Sequence, residues 1–186
     1  MLWCRKSPAL RPLSGKAWFC ATCGGEHQGM PDLAAHSPDL WTGSEEYEPN
    51  GALRLDGNFL SEDFCVLDGE HFFVRSVLFI PVRGMDQDFG FGCWSTLSRA
   101  NFEKYVAAFD TGHSDDEGSW WGWFSNRLKG FEDTLNQGCW VHPRAGRQRP
   151  TITLDDETHE LAIAQRDGIP PERVLALFAA NGYSVG

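Results

Sequence analysis

The pair Asp68-Gly69 constrains the fold more than any other local feature of the sequence. It separates two apolar runs, residues 64–67 and the longer stretch 71–82. A type I′ turn requires positive φ at both central residues, which Asp and Gly tolerate, so the pair predicts a β-hairpin. The two runs are therefore predicted to lie side by side as antiparallel strands.

Other strand-like segments are bounded by turn-forming Gly, Pro and Asp residues. They occupy residues 52–55, 89–97, 139–142 and 151–154. Strands joined by short turns pair with each other most readily, so the sequence predicts a mainly antiparallel sheet built from neighbours in the chain.

Three helices are predicted beside this sheet. Ser98 is a suitable N-cap for the first, in which four apolar residues recur at spacings of three and four. These residues are Phe102, Tyr105, Val106 and Phe109. Asp155 or Thr158 is expected to cap the second helix, and Pro170-Pro171 to open the third. The predicted fold class is α+β, with helices flanking the sheet.

The length and the distribution of charge predict one domain with an N-terminal tail. Residues 1–16 carry four basic side chains, two prolines and no acidic residue, which predicts a loosely attached tail. The remaining residues, 17–186, fall within the usual size of one domain and are expected to form a single α+β unit.

The net charge limits the classes of partner. With 16 basic and 26 acidic residues, the chain carries a net charge of −10. That charge argues against binding to nucleic acid or to an anionic membrane surface and favours a basic protein partner. There is no run of eighteen apolar residues and no secretory signal, so we expect a cytoplasmic protein with reduced cysteines.

A short segment near the N-terminus has the spacing of a zinc knuckle. Cys20 and Cys23 are separated by two residues, and His27 follows a glycine-assisted turn. Zinc prefers thiolate and imidazole ligands, and this spacing lets one turn point both sulfurs at the same ion. The fourth ligand must come from elsewhere. Cys65 is the favoured candidate, with His71 second and His36 also considered.

The same residues allow alternatives to a structural zinc site. The cysteines of this segment are ordinary reduced thiols in one alternative and a redox pair in another. Three protein ligands would leave an open metal position, for which Asp63 or Glu26 is a candidate general base. His159-Glu160 begins like a metalloprotease helix, but Ile163 stands where the second histidine belongs.

Two further features are candidates for a binding role. Arg75 lies inside an apolar strand, where it is expected either to face solvent or to pair with a carboxylate such as Asp63. The aromatic stretch 120–124 contains three tryptophans and Phe124. It is predicted mainly to pack in the core, although a sugar-stacking or partner-binding surface is the alternative.

Read in order, several motifs resemble those of DUF2199, a family of uncharacterised bacterial proteins. They are the Cys20–His27 knuckle and the stretches 64–75, 80–82, 91–98 and 159–169. The resemblance covers about residues 19–174 and places the knuckle in the family's opening motif and Cys65 in its central one. It implies no activity. Glu160, where we expect a proline in relatives, and the N-terminal tail depart from the pattern.

These observations favour a zinc-binding α+β domain with a structural Cys/His site that acts by binding a partner or a ligand. Two alternatives are a zinc-dependent hydrolase with an open metal site and an acidic immunity-type protein that neutralises a basic partner. No complete catalytic motif supports an enzyme.

Overall fold

The computed structural model describes residues 17–19, 26–30, 32–112 and 118–182. The strands are β1 (Ala17–Phe19), β2 (Glu26–Gln28), β3 (Leu33–Ala34), β4 (Phe59–Leu60), β5 (Phe64–Leu67), β6 (His71–Ile80), β7 (Phe89–Leu97), β8 (Trp120–Trp123), β9 (Gly138–His142) and β10 (Thr151–Leu154). The helices are α1 (Arg99–Thr111), α2 (Glu160–Asp167) and α3 (Pro171–Ala180). The fold class is α+β, as predicted.

The predicted hairpin joins β5 to β6. Leu67 and His71 are its last paired residues, and the turn residues Asp68 and Gly69 have φ values of 56° and 70°. Both central residues are therefore left-handed, as a type I′ turn requires. The predicted hairpin is confirmed, and Glu70 makes its connection three residues long.

The main sheet is mostly antiparallel, but it is mixed. The strand order is β3-β7-β6-β10-β9-β8, with β5 beside β6 and β4 beside β5. The β3–β7 and β6–β10 pairs are parallel. The expectation of a sheet built from neighbours in the chain is therefore wrong for these two pairs. Strand β6 is long enough to pair with β5 through residues 71–74 and with β10 at Val77.

The sheet curls so that its last strand, β8, comes to lie beside β7. An antiparallel bridge joins Ser95 to Phe124, which follows β8, and the Ser125 N–H donates to the Trp94 carbonyl at 2.8 Å. Because side chains alternate along a strand, the curled sheet has an inner and an outer face.

Helices pack on the inner face. The Phe64 ring of β5 meets the Phe102 and Phe109 rings of α1 at centroid distances of 5.8 and 5.5 Å. The Phe89 ring of β7 meets the Phe178 ring of α3 at 5.7 Å. These contacts join the sheet and the helices in one apolar core. The outer face carries the alternate residues of β6, β10, β9 and β8.

Two local predictions need correction. Residues 52–55 do not form a strand, because a 3-10 turn occupies Asn50–Ala52 after Pro49. Helix α2 begins at Glu160, and its N-cap is His159, whose Nδ1 accepts the Leu161 N–H at 3.1 Å. Neither Asp155 nor Thr158 caps this helix. Ser98 does cap α1, accepting the Asn101 N–H at 3.3 Å, as predicted.

The predicted tail, residues 1–16, lies outside the described residues, so the domain boundary stays a prediction. In the described part of the chain, no helix combines the length and the apolar character needed to cross a bilayer.

Candidate functional site

Strands β1 and β2 form a separate antiparallel hairpin at the N-terminus. Phe19 pairs with Glu26, and Trp18 pairs with His27. The predicted ligands Cys20 and Cys23 fall in the connecting segment 20–25, which lies outside the described residues. The zinc knuckle therefore stays a prediction, although the paired strands bring the two ends of that segment together.

The three candidates for the fourth metal ligand lie in different surroundings. The His36 ring stacks on the Tyr47 ring with centroids 4.3 Å apart, and its Nε2 lies 2.6 Å from the Glu45 carbonyl oxygen. Cys65 is fully buried in an apolar cluster with Leu60, Phe73 and Trp94, and burial raises the pKa of its thiol to about 12. His71 is exposed at the turn end of β6. Within residues 32–112 and 118–182 and the two N-terminal strands, no group of three or more His, Cys, Asp and Glu side chains could hold a metal ion.

Asp63 is held by two polar partners in the loop before β5. Its carboxylate accepts the Arg149 Nε–H at 2.9 Å and the Asn50 Nδ2–H at 2.8 Å. The contact between Arg75 and Asp63 is through the main chain alone: the Arg75 backbone N–H donates to the Asp63 carbonyl at 2.9 Å. Of the two alternatives expected for Arg75, pairing with the Asp63 carboxylate is therefore not the one observed, because Arg149 and Asn50 bind that carboxylate.

Arg75 is half-buried and fastens the loop that carries Ala35 and Tyr47 to the outer face of the sheet. Its Nη1 donates to the Tyr47 hydroxyl at 2.9 Å, and its Nη2 donates to the Ala35 carbonyl at 3.2 Å. The guanidinium carbon lies 5.9 Å from the Tyr47 ring centroid and 5.8 Å from that of Trp94. Among the described residues, Arg75 forms no ion pair with a carboxylate. Its contacts are those of a structural clamp.

Three tryptophans lie together, far from this clamp in sequence, on the outer face of β8 and β9. Trp121, Trp123 and Trp140 are 40%, 48% and 41% exposed. Trp121 and Trp140 are directly opposite each other in the β8–β9 register. The rings of Trp121 and Trp123 meet edge to face, with centroids 4.6 Å apart and an interplanar angle of 73°. We call these three residues and Asp155 the aromatic face.

Asp155, which follows β10, holds two of the three rings. Its carboxylate accepts the Trp140 Nε1–H at 2.9 Å and the Trp121 Nε1–H at 3.3 Å. Its backbone N–H donates to the Gly138 carbonyl at 2.9 Å. A Cβ at Gly138 would lie 3.1 Å from the Trp121 ring, so glycine permits the close approach of ring and backbone.

A polar chain adjoins the aromatic face. The Ser119 Oγ lies 2.7 Å from His142 Nδ1, and His142 Nε2 lies 2.8 Å from the Thr153 Oγ1. Burial lowers the pKa of His142, because desolvation disfavours the charged imidazolium. The Thr153 hydroxyl takes the position that a carboxylate has in a catalytic triad. The three side chains Ser119, His142 and Thr153 therefore form a polar rim to the aromatic face.

Sequence reasoning located only part of this surface. The expectation of core packing holds for Phe124, which is buried, and partly for Trp120, whose ring packs on Tyr105 at 6.2 Å. It is wrong for Trp121 and Trp123. Trp140 and Asp155 were missed, although Trp140 alternates with the apolar Cys139 and Val141, a pattern that points it outward.

These features define an α+β protein with a curled mixed sheet whose outer face presents clustered tryptophans. The chain belongs to the DUF2199 family, described as an uncharacterized protein conserved in bacteria, whose model matches residues 19–169. The resemblance seen in the sequence is therefore confirmed. No curated protein and no solved structure matched the chain.

Proposed function

We propose that this chain is a non-catalytic binding protein whose aromatic face docks a basic segment of a protein partner. The observation that carries the proposal is the exposure of three adjacent tryptophans by 40–48% on a helix-free face. Clustered exposed apolar side chains mark interaction sites, and tryptophan is enriched among the residues that dominate binding energy.

Charge favours a cationic partner. The whole chain has a net charge of −10, and Asp155 places a carboxylate between two of the rings. The exposed residues Asp156 and Glu157 follow directly. Lysine and arginine side chains are attracted to the negative face of an indole ring and to carboxylates. A basic segment would therefore gain from both kinds of group.

We propose in addition that Cys20, Cys23 and His27 hold a structural zinc ion, with Cys65 as the candidate fourth ligand. The pairing of Phe19 with Glu26 supports this, because it brings together the ends of the segment that carries both cysteines. We expect the protein in the cytoplasm, where Cys65, Cys93 and Cys139, which form no disulfide, stay reduced.

One observation weighs against the hydrolase alternative. That alternative needs a general base beside an open metal position, and Asp63 was one of two candidates. Its carboxylate is already bonded to Arg149 and Asn50 at 2.9 and 2.8 Å. Each Asp63 oxygen thus already accepts a hydrogen bond from another side chain, which leaves Glu26 as the remaining candidate.

Calorimetric titration with defined peptides tests the binding proposal. The probes are a lysine-rich peptide and a glutamate-rich peptide of equal length, added to the native protein and to the double variant Trp121→Ala/Trp140→Ala. Leu40→Ala is the matched control, because Leu40 is 49% exposed elsewhere on the surface. We expect the native protein and the control to bind only the lysine-rich peptide, more weakly as salt is added.

The double variant is expected to lose at least about tenfold in affinity. Equal binding by all three proteins would contradict the proposal. So would binding of a neutral oligosaccharide in place of the peptide, since aromatic faces also stack on sugars.

A further inference from the structure

Three arginines in the described part of the chain each join an aromatic ring to a carboxylate. The guanidinium carbon lies over the ring, 5.1–5.7 Å from its centroid, and a guanidinium nitrogen lies 2.7–3.0 Å from a carboxylate oxygen. Guanidinium groups suit both contacts, because they are attracted to aromatic faces and donate N–H groups to carboxylates. The three sets are Arg54 with Phe59 and Glu48, Arg99 with Phe72 and Glu103, and Arg173 with Phe131 and Glu160.

The aromatic face has the rings and the carboxylate of this arrangement but lacks the arginine. Asp155 is exposed and accepts the indole N–H groups of Trp121 and Trp140. Among the residues that the structure describes, no Lys or Arg side chain forms an ion pair with Asp155 or lies over the ring of Trp121, Trp123 or Trp140. A cation from outside the domain would complete the arrangement.

The Asp155 carboxylate retains acceptor sites on both of its oxygens. An ionised carboxylate has about four lone-pair sites, two on each oxygen. The two indole N–H groups bond to different oxygens, so each oxygen keeps one site. Two neighbouring acceptors match the paired N–H groups of a guanidinium, which binds carboxylates in a bidentate manner. An ammonium group is a compact point charge and lacks this planar fork.

We propose that the basic segment binds through an arginine, whose guanidinium lies against the exposed indoles and donates to both oxygens of Asp155. This inference rests on the proposed function and names the residue type that the aromatic face recognises. Lysine is expected to bind the same face more weakly, because its ammonium group is strongly hydrated and forms no bidentate contact. The net charge of −10 favours a basic partner as the source of the arginine.

Three peptides of equal length that differ in one residue type test this inference. The first is rich in arginine, the second has lysine at the same positions, and the third has citrulline, which has the shape of arginine without its charge. Each is titrated calorimetrically into the native protein, Asp155→Asn and Glu157→Gln. Glu157 is an exposed carboxylate two residues beyond Asp155, so its variant removes the same charge beside the site.

We expect the native protein to bind the arginine peptide roughly tenfold more tightly than the lysine peptide, and the citrulline peptide least tightly. Glu157→Gln should weaken binding of both cationic peptides by the same factor and keep the ratio of their affinities. Asp155→Asn should bring that ratio close to one, because it leaves one acceptor oxygen in place of two. If circular dichroism shows that Asp155→Asn does not fold, the ratio in the native protein decides alone.

The outcomes separate the failure of this inference from that of the proposed function. If the native protein binds the arginine and lysine peptides equally, or lysine more tightly, arginine recognition is wrong while the docking of a basic segment stands. If the native protein binds neither cationic peptide, the proposed function itself is wrong. Dimers of the native protein in sedimentation that are lost in Asp155→Asn would make a second copy of this chain the occupant and contradict binding of a partner.

Discussion

Trp121 and Trp140 are cross-strand partners, and their indole N–H groups donate to different oxygens of one carboxylate. The distances to Asp155 are 3.3 Å from Trp121 and 2.9 Å from Trp140. This arrangement fixes two large exposed rings before any partner arrives. A binding surface whose side chains are ordered in advance loses less conformational entropy on association.

Replacing Asp155 by alanine should therefore loosen both rings. We expect a loss of about 1 kcal/mol in the free energy of unfolding, because two hydrogen bonds are removed at a partly exposed site. Chemical denaturation measures the loss, and the indole signals in nuclear magnetic resonance spectra report the mobility of the rings. Glu157→Ala is the control, since it removes an exposed neighbouring carboxylate. Equal effects of both variants would show that only charge matters here.

Arg75 should be essential for stability rather than for binding. Arg75→Lys keeps the charge but loses the planar fork that reaches Tyr47 and the Ala35 carbonyl, so we expect a loss of about 2–3 kcal/mol in unfolding free energy. Urea denaturation measures the change. Arg54→Lys, which alters an exposed ion pair with Glu48, should cost far less. A wild-type denaturation midpoint for Arg75→Lys would contradict the clamp.

Stability should decline at alkaline pH, in part through Cys139. Burial raises the pKa of its thiol from 9.0 to about 12, with a smaller contribution from Asp155. The unfolded chain releases this proton at a lower pH than the folded protein does. The contribution of Cys139 to stability is therefore complete below pH 9 and is lost as the pH rises from 9 towards 12.

Urea denaturation between about pH 8 and pH 10.5, with reductant present, checks this dependence. Cys139→Ala should show a shallower decline than the native protein. Val141→Ala, also fully buried on β9, should lose stability without any change in the slope against pH. The same slope in all three proteins would rule out a contribution from this thiol.

The zinc proposal predicts about one zinc ion per chain in protein purified without added metal. Metal content should fall, together with thermal stability, in Cys20→Ser, Cys23→Ser and His27→Ala, because each removes a ligand of a closed site. Cys65→Ser decides the fourth ligand: zinc retained in that variant would assign the position to another residue. If the native protein contains no metal, the zinc proposal is wrong, and redox chemistry or packing is the role left for these cysteines.

Local patterns in the sequence predicted the elements that depend on neighbouring residues. The turn at Asp68-Gly69, the capping of α1 by Ser98 and the span of β7 all follow from the preferences of a few adjacent side chains. The pairing of β6 with β10 was not predictable in this way. It joins residues far apart in the chain, and hydrophobic alternation does not specify a partner strand.

The aromatic face could not be predicted from the sequence for a related reason. Trp120, Trp121, Trp123 and Phe124 place apolar side chains on both faces of β8, so alternation alone does not show which face is buried. Curling of the sheet decides it, because Phe124 bridges to Ser95 and points inward. In the sequence, the position of Asp155 is typical of a helix cap. Only the fold reveals its contact with the indoles of Trp121 and Trp140.

The most direct test of the aromatic face follows the indole N–H resonances of the native protein as a lysine-rich peptide is added. Single Trp→Phe variants assign the signals of Trp121, Trp140 and the fully buried Trp94. We expect the Trp121 and Trp140 signals to shift with peptide concentration while that of Trp94 does not. Unchanged Trp121 and Trp140 signals in the presence of bound peptide would contradict binding at the aromatic face.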